Sequence, residues 1–225
     1  MRQIVVGGHT RNIGKTTLVA GLIRELEPLG WTAVKITQYG HGICSLDGEP
    51  CGCAPREHAF VLTEELDAAG ASDTSRLLAA GARRSLWLRV REGQLAPALP
   101  LLRKALARDE WVIFESNSIM EFVEPDLYIA VLDPSRSDFK DSSRKFLDRV
   151  DAFVAAESPA GRMAWPDAAW RPRAGVPQFF LPRAGTLTPE ICRFVRSKLD
   201  LPEAGVVSGL RAPLAEKRSS RVRTE

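Results

Sequence analysis

Short apolar stretches alternate with amphipathic stretches along most of the chain, and this alternation predicts its secondary structure. Short apolar runs indicate strands, whereas apolar residues spaced three and four apart indicate helices. The predicted strands cover residues 3–6, 31–37, 59–63, 85–90, 111–114, 127–132, 152–155 and 178–181. The predicted helices cover residues 15–26, 73–82, 95–107, 142–150 and 189–199. Strands and helices that alternate through short connections favour a doubly wound, mainly parallel α/β sheet.

Two segments break this alternation. Residues 38–58 lack periodicity and are rich in glycine, cysteine, proline and histidine, which is typical of a long functional loop. From Leu201 onward the hydrophobic residues thin out and arginine and lysine accumulate, which is typical of a solvated terminus. We therefore expect one domain over residues 1–200 and a flexible basic tail over residues 201–225.

The composition is that of an ordinary globular protein. Of the 225 residues, 44% are hydrophobic and 26% are charged, and the formal net charge of +3 is too small to indicate nucleic-acid binding by itself. No apolar run approaches the roughly 20 residues of a membrane span. The first residues, Met1-Arg2-Gln3, lead directly into a predicted strand and not into a signal peptide. The expected location is cytoplasmic, with no membrane association.

One glycine-rich segment carries the clearest chemical signal, because it connects the first predicted strand to the first predicted helix. The segment consists of Gly8, His9, Thr10, Arg11, Asn12, Ile13, Gly14, Lys15, Thr16 and Thr17. A strand, a loop ending in Gly-Lys-Thr and a helix form the phosphate-binding loop of P-loop NTPases. In such a loop Gly14 lets the main chain approach the phosphates, Lys15 reaches the β and γ oxygens, and Thr16 ligates Mg²⁺. The predicted ligands are a nucleoside triphosphate and Mg²⁺, within the three-layer P-loop architecture.

The loop is one residue longer than the usual pattern, with five residues between Gly8 and Gly14. This longer form resembles the loop of dethiobiotin synthetase and its relatives in the SIMIBI division of P-loop proteins. The ParA and MinD ATPases of that division would have lysine at position 10 and glycine at positions 11 and 12. This chain has Thr10, Arg11 and Asn12 there, which argues against a ParA-type ATPase.

A second candidate group ends the predicted strand 111–114, where Phe114 is followed by Glu115. In P-loop proteins an acid at the carboxyl end of a buried strand meets Mg²⁺ directly or through water. We therefore expect Lys15, Thr16 and Glu115 to form the catalytic group. The alternative is that Glu115 is an ordinary exposed strand end.

Four segments are similar, in order, to landmarks of one known family. They are the loop 8–17, the strand Ala33-Val34-Lys35-Ile36-Thr37, the run Asp73-Thr74-Ser75-Arg76 before Ala80-Gly81-Ala82, and the strand-ending Glu115. Together they resemble the MobB family of GTP-binding proteins, which is associated with molybdopterin-guanine dinucleotide biosynthesis. The resemblance covers roughly residues 1–120. It implies that Asp73 and Thr74 lie near the γ-phosphate and Mg²⁺, with Arg76 supplying positive charge.

The sequence leaves the choice of base open. An Asn-Lys-x-Asp element, which would select guanine, is absent from the chain. Residues 156–159 follow a late predicted strand, where base contacts are expected, but they lack the side chains that choose guanine. GTP and ATP therefore both stay candidates.

Five candidate ligands for a soft metal lie close together in the loop 38–58. They are His41, Cys44, Cys51, Cys53 and His58. Zn²⁺ takes four ligands of these types, and thiolates also suit Cu(I) or an iron–sulfur cluster. The spacing is not that of a standard zinc finger, so three interpretations stay open: a metal or cluster site, a thiol site for a sulfur-bearing ligand, and ordinary loop cysteines. Cys192 lies in the apolar pattern of the last predicted helix and is expected in the core.

These features predict a MobB-like nucleotide-binding protein with weak Mg²⁺-dependent triphosphatase activity. Lys15, the loop N–H groups and Mg²⁺ would stabilise the transferring phosphoryl group, with help from Arg11 or Arg76. No general base is evident, so a cofactor-biosynthesis partner or a homodimer is expected to supply missing groups. The alternatives are a metal-delivery GTPase that loads a client from the Cys/His loop, a dethiobiotin-synthetase-like ATP-dependent ligase or kinase, and a non-catalytic nucleotide switch.

Overall fold

The computed structural model describes residues 1–39, 59–133, 136, 138–156, 175–182 and 186–203. Within these ranges eight strands form one sheet. They are β1 (Arg2–Gly8), β2 (Thr32–Tyr39), β3 (Phe60–Glu65), β4 (Arg84–Arg91), β5 (Trp111–Glu115), β6 (Leu127–Leu132), β7 (Ala152–Ala156) and β8 (Gln178–Leu181). All eight predicted strands are confirmed, with ends that differ from the prediction by two residues or fewer.

The sheet is mainly parallel and doubly wound. Its strands lie in the order β3-β4-β2-β5-β1-β6-β7-β8, and each neighbouring pair is parallel except β3 with β4. The chain moves from β1 toward one edge and from β6 toward the other. Ligands of open α/β sheets bind beyond the carboxyl ends of the strands at such a change of direction. The loop that follows β1 lies at this position.

Five α-helices are present in the described part of the chain. They are α1 (Lys15–Glu25), α2 (Asp73–Ala79), α3 (Leu95–Ala105), α4 (Asp141–Arg144) and α5 (Pro189–Lys198). Short 3₁₀ turns cover Glu27–Leu29, Ser118–Glu121 and Leu147–Arg149. Ser72 caps α2, because its side chain accepts a hydrogen bond from the N–H of Ser75. None of the described helices is long and apolar enough to cross a membrane.

The hydrophobic core has one part on each face of the sheet. Successive strand residues point to opposite faces, so Ile4 and Val6 of β1 pack under α1, α2 and α5, whereas Val5 packs on the side of α3. Cys192 of α5 is half-buried against the first of these clusters. Helices on both faces of a parallel sheet confirm the predicted α/β class.

The predicted helix over residues 142–150 is wrong in length. The structure has the four-residue α4 followed by the separate 3₁₀ turn Leu147–Arg149. The Ser143 hydroxyl donates to the carbonyl oxygen of Lys140 at 2.7 Å, a side-chain bond that competes with continued helix formation. Phe146, Leu147 and Val150 are buried, so their spacing reflects the packing of a short connection.

Two parts of the sequence prediction fall outside the described residues. The first comprises the candidate metal ligands His41, Cys44, Cys51, Cys53 and His58. The second is the tail from residue 204 onward. Gln38 and Tyr39, which we assigned to the long loop, are the last two residues of β2.

Candidate functional site

The loop between β1 and α1 contains two left-handed main-chain positions. Asn12 has a φ of 54° and Gly14 a φ of 95°. A side chain at position 14 would meet no atom within 4 Å, so glycine is favoured there by the main-chain conformation and not by lack of space. Left-handed positions in such a turn direct successive N–H groups into one concave surface that fits an oxyanion.

The N-terminus of α1 has no side-chain cap. Gly14 precedes the helix without a capping side chain, and the first turn contains no acidic residue. The first N–H groups of a helix have no partner within the helix, and the helix dipole makes this end positive. A phosphate group satisfies both features at once.

The ammonium group of Lys15 lies against this loop. Its Nζ donates a hydrogen bond to the carbonyl oxygen of Thr10 at 2.6 Å. Burial lowers the pKa of Lys15 to about 8; Glu115 opposes that shift, whereas Lys140 and Lys35 add to it. Because negative charge nearby favours the protonated amine, a bound phosphate would raise this pKa.

Asn117 fixes the start of the loop. Its Oδ1 accepts a hydrogen bond from the Gly8 N–H at 2.8 Å, and its Nδ2 donates to the Gly8 carbonyl oxygen at 2.7 Å. A Cβ atom at Gly7 would lie 2.3 Å from Oδ1 of Asn117 and 2.8 Å from the Tyr128 hydroxyl oxygen, so only glycine fits there. Asn117 was not predicted from the sequence, because its contact depends on the pairing of Val6 with Glu115, which places residue 117 beside Gly8.

Two carboxylates, a hydroxyl and an ammonium group meet where β5 ends. Glu115 is only 5% exposed, and its Oε2 accepts a 2.8 Å hydrogen bond from the Thr16 hydroxyl. Lys35 Nζ lies 3.0 Å from Glu115 Oε1 and 2.5 Å from Asp73 Oδ2. Arg76 contacts the other oxygen of Asp73 at 3.2 Å. The exposed-strand-end interpretation of Glu115 is therefore wrong.

The charges of this cluster stabilise one another. Burial alone would lower the pKa of Lys35, but Glu115 and Asp73 outweigh it and raise that pKa. Burial alone would raise the pKa of Asp73, but Lys35 and then Arg76 outweigh it and lower that pKa. Lys35 and Asp73 are therefore both charged at neutral pH. Thr74, which the resemblance placed near the γ-phosphate, is buried and donates its hydroxyl to Glu65 at 3.0 Å.

His9 connects the loop to the segment that follows β6. Its imidazole is fully buried, lies 4.6 Å from the ring of Phe139, and receives the Asp133 N–H on Nδ1 at 3.5 Å. Burial lowers the pKa of His9, so the ring is neutral at neutral pH. Its carbonyl oxygen accepts from the Lys140 N–H at 2.9 Å. The side chain and the main chain of His9 therefore both tie the loop to the segment that follows β6.

The same segment also contacts Thr10 and Arg11 of the loop. Asp138 accepts a short hydrogen bond from the Thr10 hydroxyl, and Arg136 Nη1 donates to the Arg11 carbonyl oxygen at 3.0 Å. Burial, followed by the charge of Arg11, lowers the pKa of Lys140. The contacts of this polar segment with the loop could not be seen from the sequence.

The donor groups at this site fit the predicted ligands. The glycine loop and the uncapped helix offer N–H groups to a phosphate, and the oxygens of Thr16, Glu115 and Asp73 are the hard ligands that Mg²⁺ prefers. The side chain of Ile13 is buried in the core, whereas Arg11 and Asn12 are exposed. Within the described ranges there is no cluster of three or more histidine, cysteine, aspartate or glutamate residues that could hold a metal without other ligands.

Comparisons with known proteins add two structural similarities. No protein-family model and no curated protein sequence matches the chain. HypB from Helicobacter pylori in complex with nickel is 13% identical with a TM-score of 0.46, and the match covers 87% of this chain and 84% of that one. The "apo" form of LpxK from Aquifex aeolicus in complex with ATP is 16% identical with a TM-score of 0.48, over 80% of this chain. The latter match spans only 53% of the LpxK chain.

Proposed function

We propose that this protein binds a nucleoside triphosphate with Mg²⁺ on the loop 8–17 and hydrolyses it slowly. The observation that carries the proposal is the uncapped N-terminus of α1, which follows the left-handed residues Asn12 and Gly14. The Lys15 ammonium donates a hydrogen bond to the Thr10 carbonyl oxygen of the same loop. These features support the proposal because N–H groups, a helix dipole and a cation together favour a bound anion.

Each group near the loop has a role in this proposal. Thr16, Glu115 and Asp73 would hold Mg²⁺, which when bound neutralises charge on the β and γ phosphates. Lys15 orients the γ-phosphate and stabilises the charge that develops on it. Asn117 and His9 keep the loop in the conformation that its N–H groups need.

Slow turnover is expected because both carboxylates are already engaged. Glu115 accepts from Thr16 and Lys35, and Asp73 is paired with Lys35 and Arg76. Against the effect of burial, Lys35 and then Arg76 lower the pKa of Asp73, which makes its carboxylate a weak acceptor for a proton from water. Both carboxylate oxygens of Glu115 already accept hydrogen bonds. A partner protein or a second copy of the chain would then supply the missing group.

Calorimetric titration with ATP and with GTP, each with Mg²⁺, tests the proposal. Wild-type protein should bind at least one of them. Lys15→Ala should weaken binding by about a hundredfold, because hydrogen bonds to charged groups contribute roughly 1.5–3 kcal/mol and the helix N-terminus keeps the remainder. Lys104→Ala, at an exposed lysine in the last turn of α3, is the matched control and should bind normally. Full affinity in a folded Lys15→Ala protein would exclude the assignment.

Two pathways are candidates for a nucleotide-binding protein of this kind. A MobB-like role in molybdenum-cofactor biosynthesis is supported by the four sequence segments that resemble that family. A metal-delivery GTPase is the second candidate, and it is favoured by the clustering of three cysteines and two histidines in residues 41–58. In that case hydrolysis would release the ion to a client enzyme. The metal content of protein purified without a polyhistidine tag separates the two candidates.

A further inference from the structure

One half-buried sheet face next to the phosphate loop is polar and aromatic. It is formed by β2, β4 and β3, and we call it the Trp87 shelf. Its members are Lys35, Thr37, Val61, Thr63, Trp87 and Arg89. The strand register pairs Lys35 with Trp87 and Thr37 with Arg89, and pairs Thr63 and Val61 of β3 with the same two residues of β4. Residues paired across neighbouring strands point to the same face, so these six side chains share one surface.

The shelf begins at the point along β2 and β4 where the side chains on this face are no longer fully buried. On the same face, Ala33 and Ser85 form the preceding register pair, and both are fully buried. Trp87 and Arg89 are only partly buried, and Thr63 is exposed. Trp87 belongs to neither core cluster in the described part of the molecule, whereas Leu86 and Leu88 on the opposite face pack beneath α3. Trp87 therefore presents part of an aromatic side chain at this surface.

Arg89 is the unusual member of this surface. Its guanidinium carbon lies 4.6 Å from the centre of the Trp87 ring, and its Nε is buried with no hydrogen-bond partner among the described residues. Within the same ranges Arg89 makes no ion pair, whereas Arg84 of the same strand contacts both Glu64 and Asp109 at 2.9 Å. The two terminal nitrogens of Arg89 likewise donate to no described residue, and they are the part of the guanidinium that a ligand can reach, so an oxyanion is the partner that this surface lacks.

The side chains next to Arg89 on the shelf contact one another and the neighbouring site. Trp87 is held in place because its indole N–H donates to the Thr37 hydroxyl at 3.0 Å. Thr37 lies two residues beyond Lys35, or roughly 7 Å along the strand, toward the carboxyl edge of the sheet. Lys35 in turn contacts Glu115 and Asp73. Arg89 therefore lies one register pair beyond Lys35, on the strand next to β2 and on the same face of the sheet.

The geometry points to the Trp87 shelf as a second ligand site, which takes a small planar molecule that carries a carboxylate or a phosphate. The oxyanion pairs with Arg89, and the planar body packs on Val61 and the free edge of Trp87. The inference rests on the proposed function in one respect, since it places this ligand beside a nucleotide bound at loop 8–17. Binding at the shelf itself requires only the groups named here.

The test uses benzoate and phenyl phosphate as probes at millimolar concentrations. Each probe is titrated into the full chain, alone and saturated with Mg²⁺ and a non-hydrolysable triphosphate, while amide and indole N–H resonances are followed by NMR. We expect the Trp87 indole resonance, identified with Trp87→Phe, to shift in the nucleotide-loaded protein. Arg89→Gln should weaken the binding about tenfold, whereas Arg103→Gln, on the exposed side of α3, should not change it.

Each outcome decides a separate point. Binding of phenyl phosphate alone identifies a phosphate-bearing ligand, and binding of benzoate alone identifies a carboxylate. If neither probe shifts the Trp87 resonance of wild-type protein, or if folded Arg89→Gln binds as well as wild type, the inference is wrong. Should Arg89→Gln fail to fold, the wild-type resonance shifts still decide the matter. If the protein binds a probe at the Trp87 shelf but binds no nucleotide, the proposed function is wrong and the shelf remains a ligand site.

Discussion

The hydroxyl of Thr16 donates a 2.8 Å hydrogen bond to the carboxylate of Glu115. These residues are far apart in the chain and meet because β1 and β5 are paired in a register that places Val6 beside Glu115. The first turn of α1 and the end of β5 therefore face the same point in space. In the proposed function this point is the metal position, and substitutions at Glu115 should act through the metal.

Glu115→Gln should weaken nucleotide binding in the presence of Mg²⁺ and leave Mg²⁺-free binding nearly unchanged. Glutamine still accepts the Thr16 hydrogen bond, but it lacks the charge that attracts the ion. Titrations with Mg²⁺ and with EDTA should differ by about tenfold more in wild type than in the variant. Glu92→Gln, at an exposed position after β4, is the control. Equal losses under both conditions would place Glu115 outside the metal site.

Nucleotide affinity should decrease as the pH rises through about 8. Burial lowers the pKa of Lys15 to about 8 in the free protein, and bound phosphate raises it again, so that binding above this pH takes up a proton. Below it Lys15 is already charged and little uptake occurs. Calorimetry in buffers of different ionisation enthalpy measures the uptake directly. An affinity that does not change between neutral pH and about pH 9 would contradict this role of Lys15.

The same shift has a consequence for folding. A lysine whose pKa is lower in the folded protein than in the unfolded chain opposes folding while it is charged, so its cost is present below about pH 8. The cost is relieved as the pH rises toward the ordinary lysine pKa. Lys15→Met should therefore stabilise the ligand-free protein at neutral pH, which chemical denaturation can measure.

Asn117→Ala should destabilise the fold by about 1–3 kcal/mol, because it leaves the N–H and carbonyl groups of Gly8 without their partners. It should also weaken nucleotide binding, since the loop start is no longer fixed. Chemical denaturation measures the first effect and calorimetry the second. Ser118→Ala removes only a 3.1 Å contact with the Ser116 hydroxyl and is the control. Wild-type stability in Asn117→Ala would show that the loop does not depend on this side chain.

Replacing Cys44, Cys51 and Cys53 together by serine should abolish binding of a soft metal and leave nucleotide affinity within a few-fold, because the phosphate contacts come from residues 8–17. Wild-type protein should bind Zn²⁺ with release of protons, since thiols must ionise before they ligate a metal. Elemental analysis of anaerobically purified protein and a Zn²⁺ titration provide the measurement. If wild type contains no stoichiometric metal and added Zn²⁺ releases no protons, these cysteines belong to a substrate or partner surface.

The parts of the site that the sequence predicted are those with local signals. The start of α1 at Lys15 follows from the Gly-Lys-Thr run and the apolar spacing after it, and the helix begins at that residue. Glu115 was found because it ends a run of buried strand residues. Both are determined within a few residues of sequence.

The parts that the sequence did not predict depend on pairing between distant segments. Asn117 contacts Gly8, and Asp138 contacts Thr10, only because β5 and β6 flank β1. His9 looks like a loop residue in the sequence, yet it is fully buried by the segment after β6. The antiparallel direction of β3 was equally hidden, since an apolar run carries no information on which way a strand points.

In the proposed function, Lys35 would determine the order in which Mg²⁺ and the nucleotide bind. Its ammonium lies between Asp73 and Glu115, and Arg76 contacts Asp73 as well, so two positive charges of the resting protein already balance the two negative ones. A free divalent ion gains little attraction from carboxylates that are neutralised in this way. The metal should therefore enter together with the nucleotide, whose phosphate oxygens supply further ligands and draw Lys35 away. Mg²⁺ alone would leave Lys35 in contact with Asp73 and Glu115. Only the arrival of the nucleotide would free these carboxylates to bind the metal.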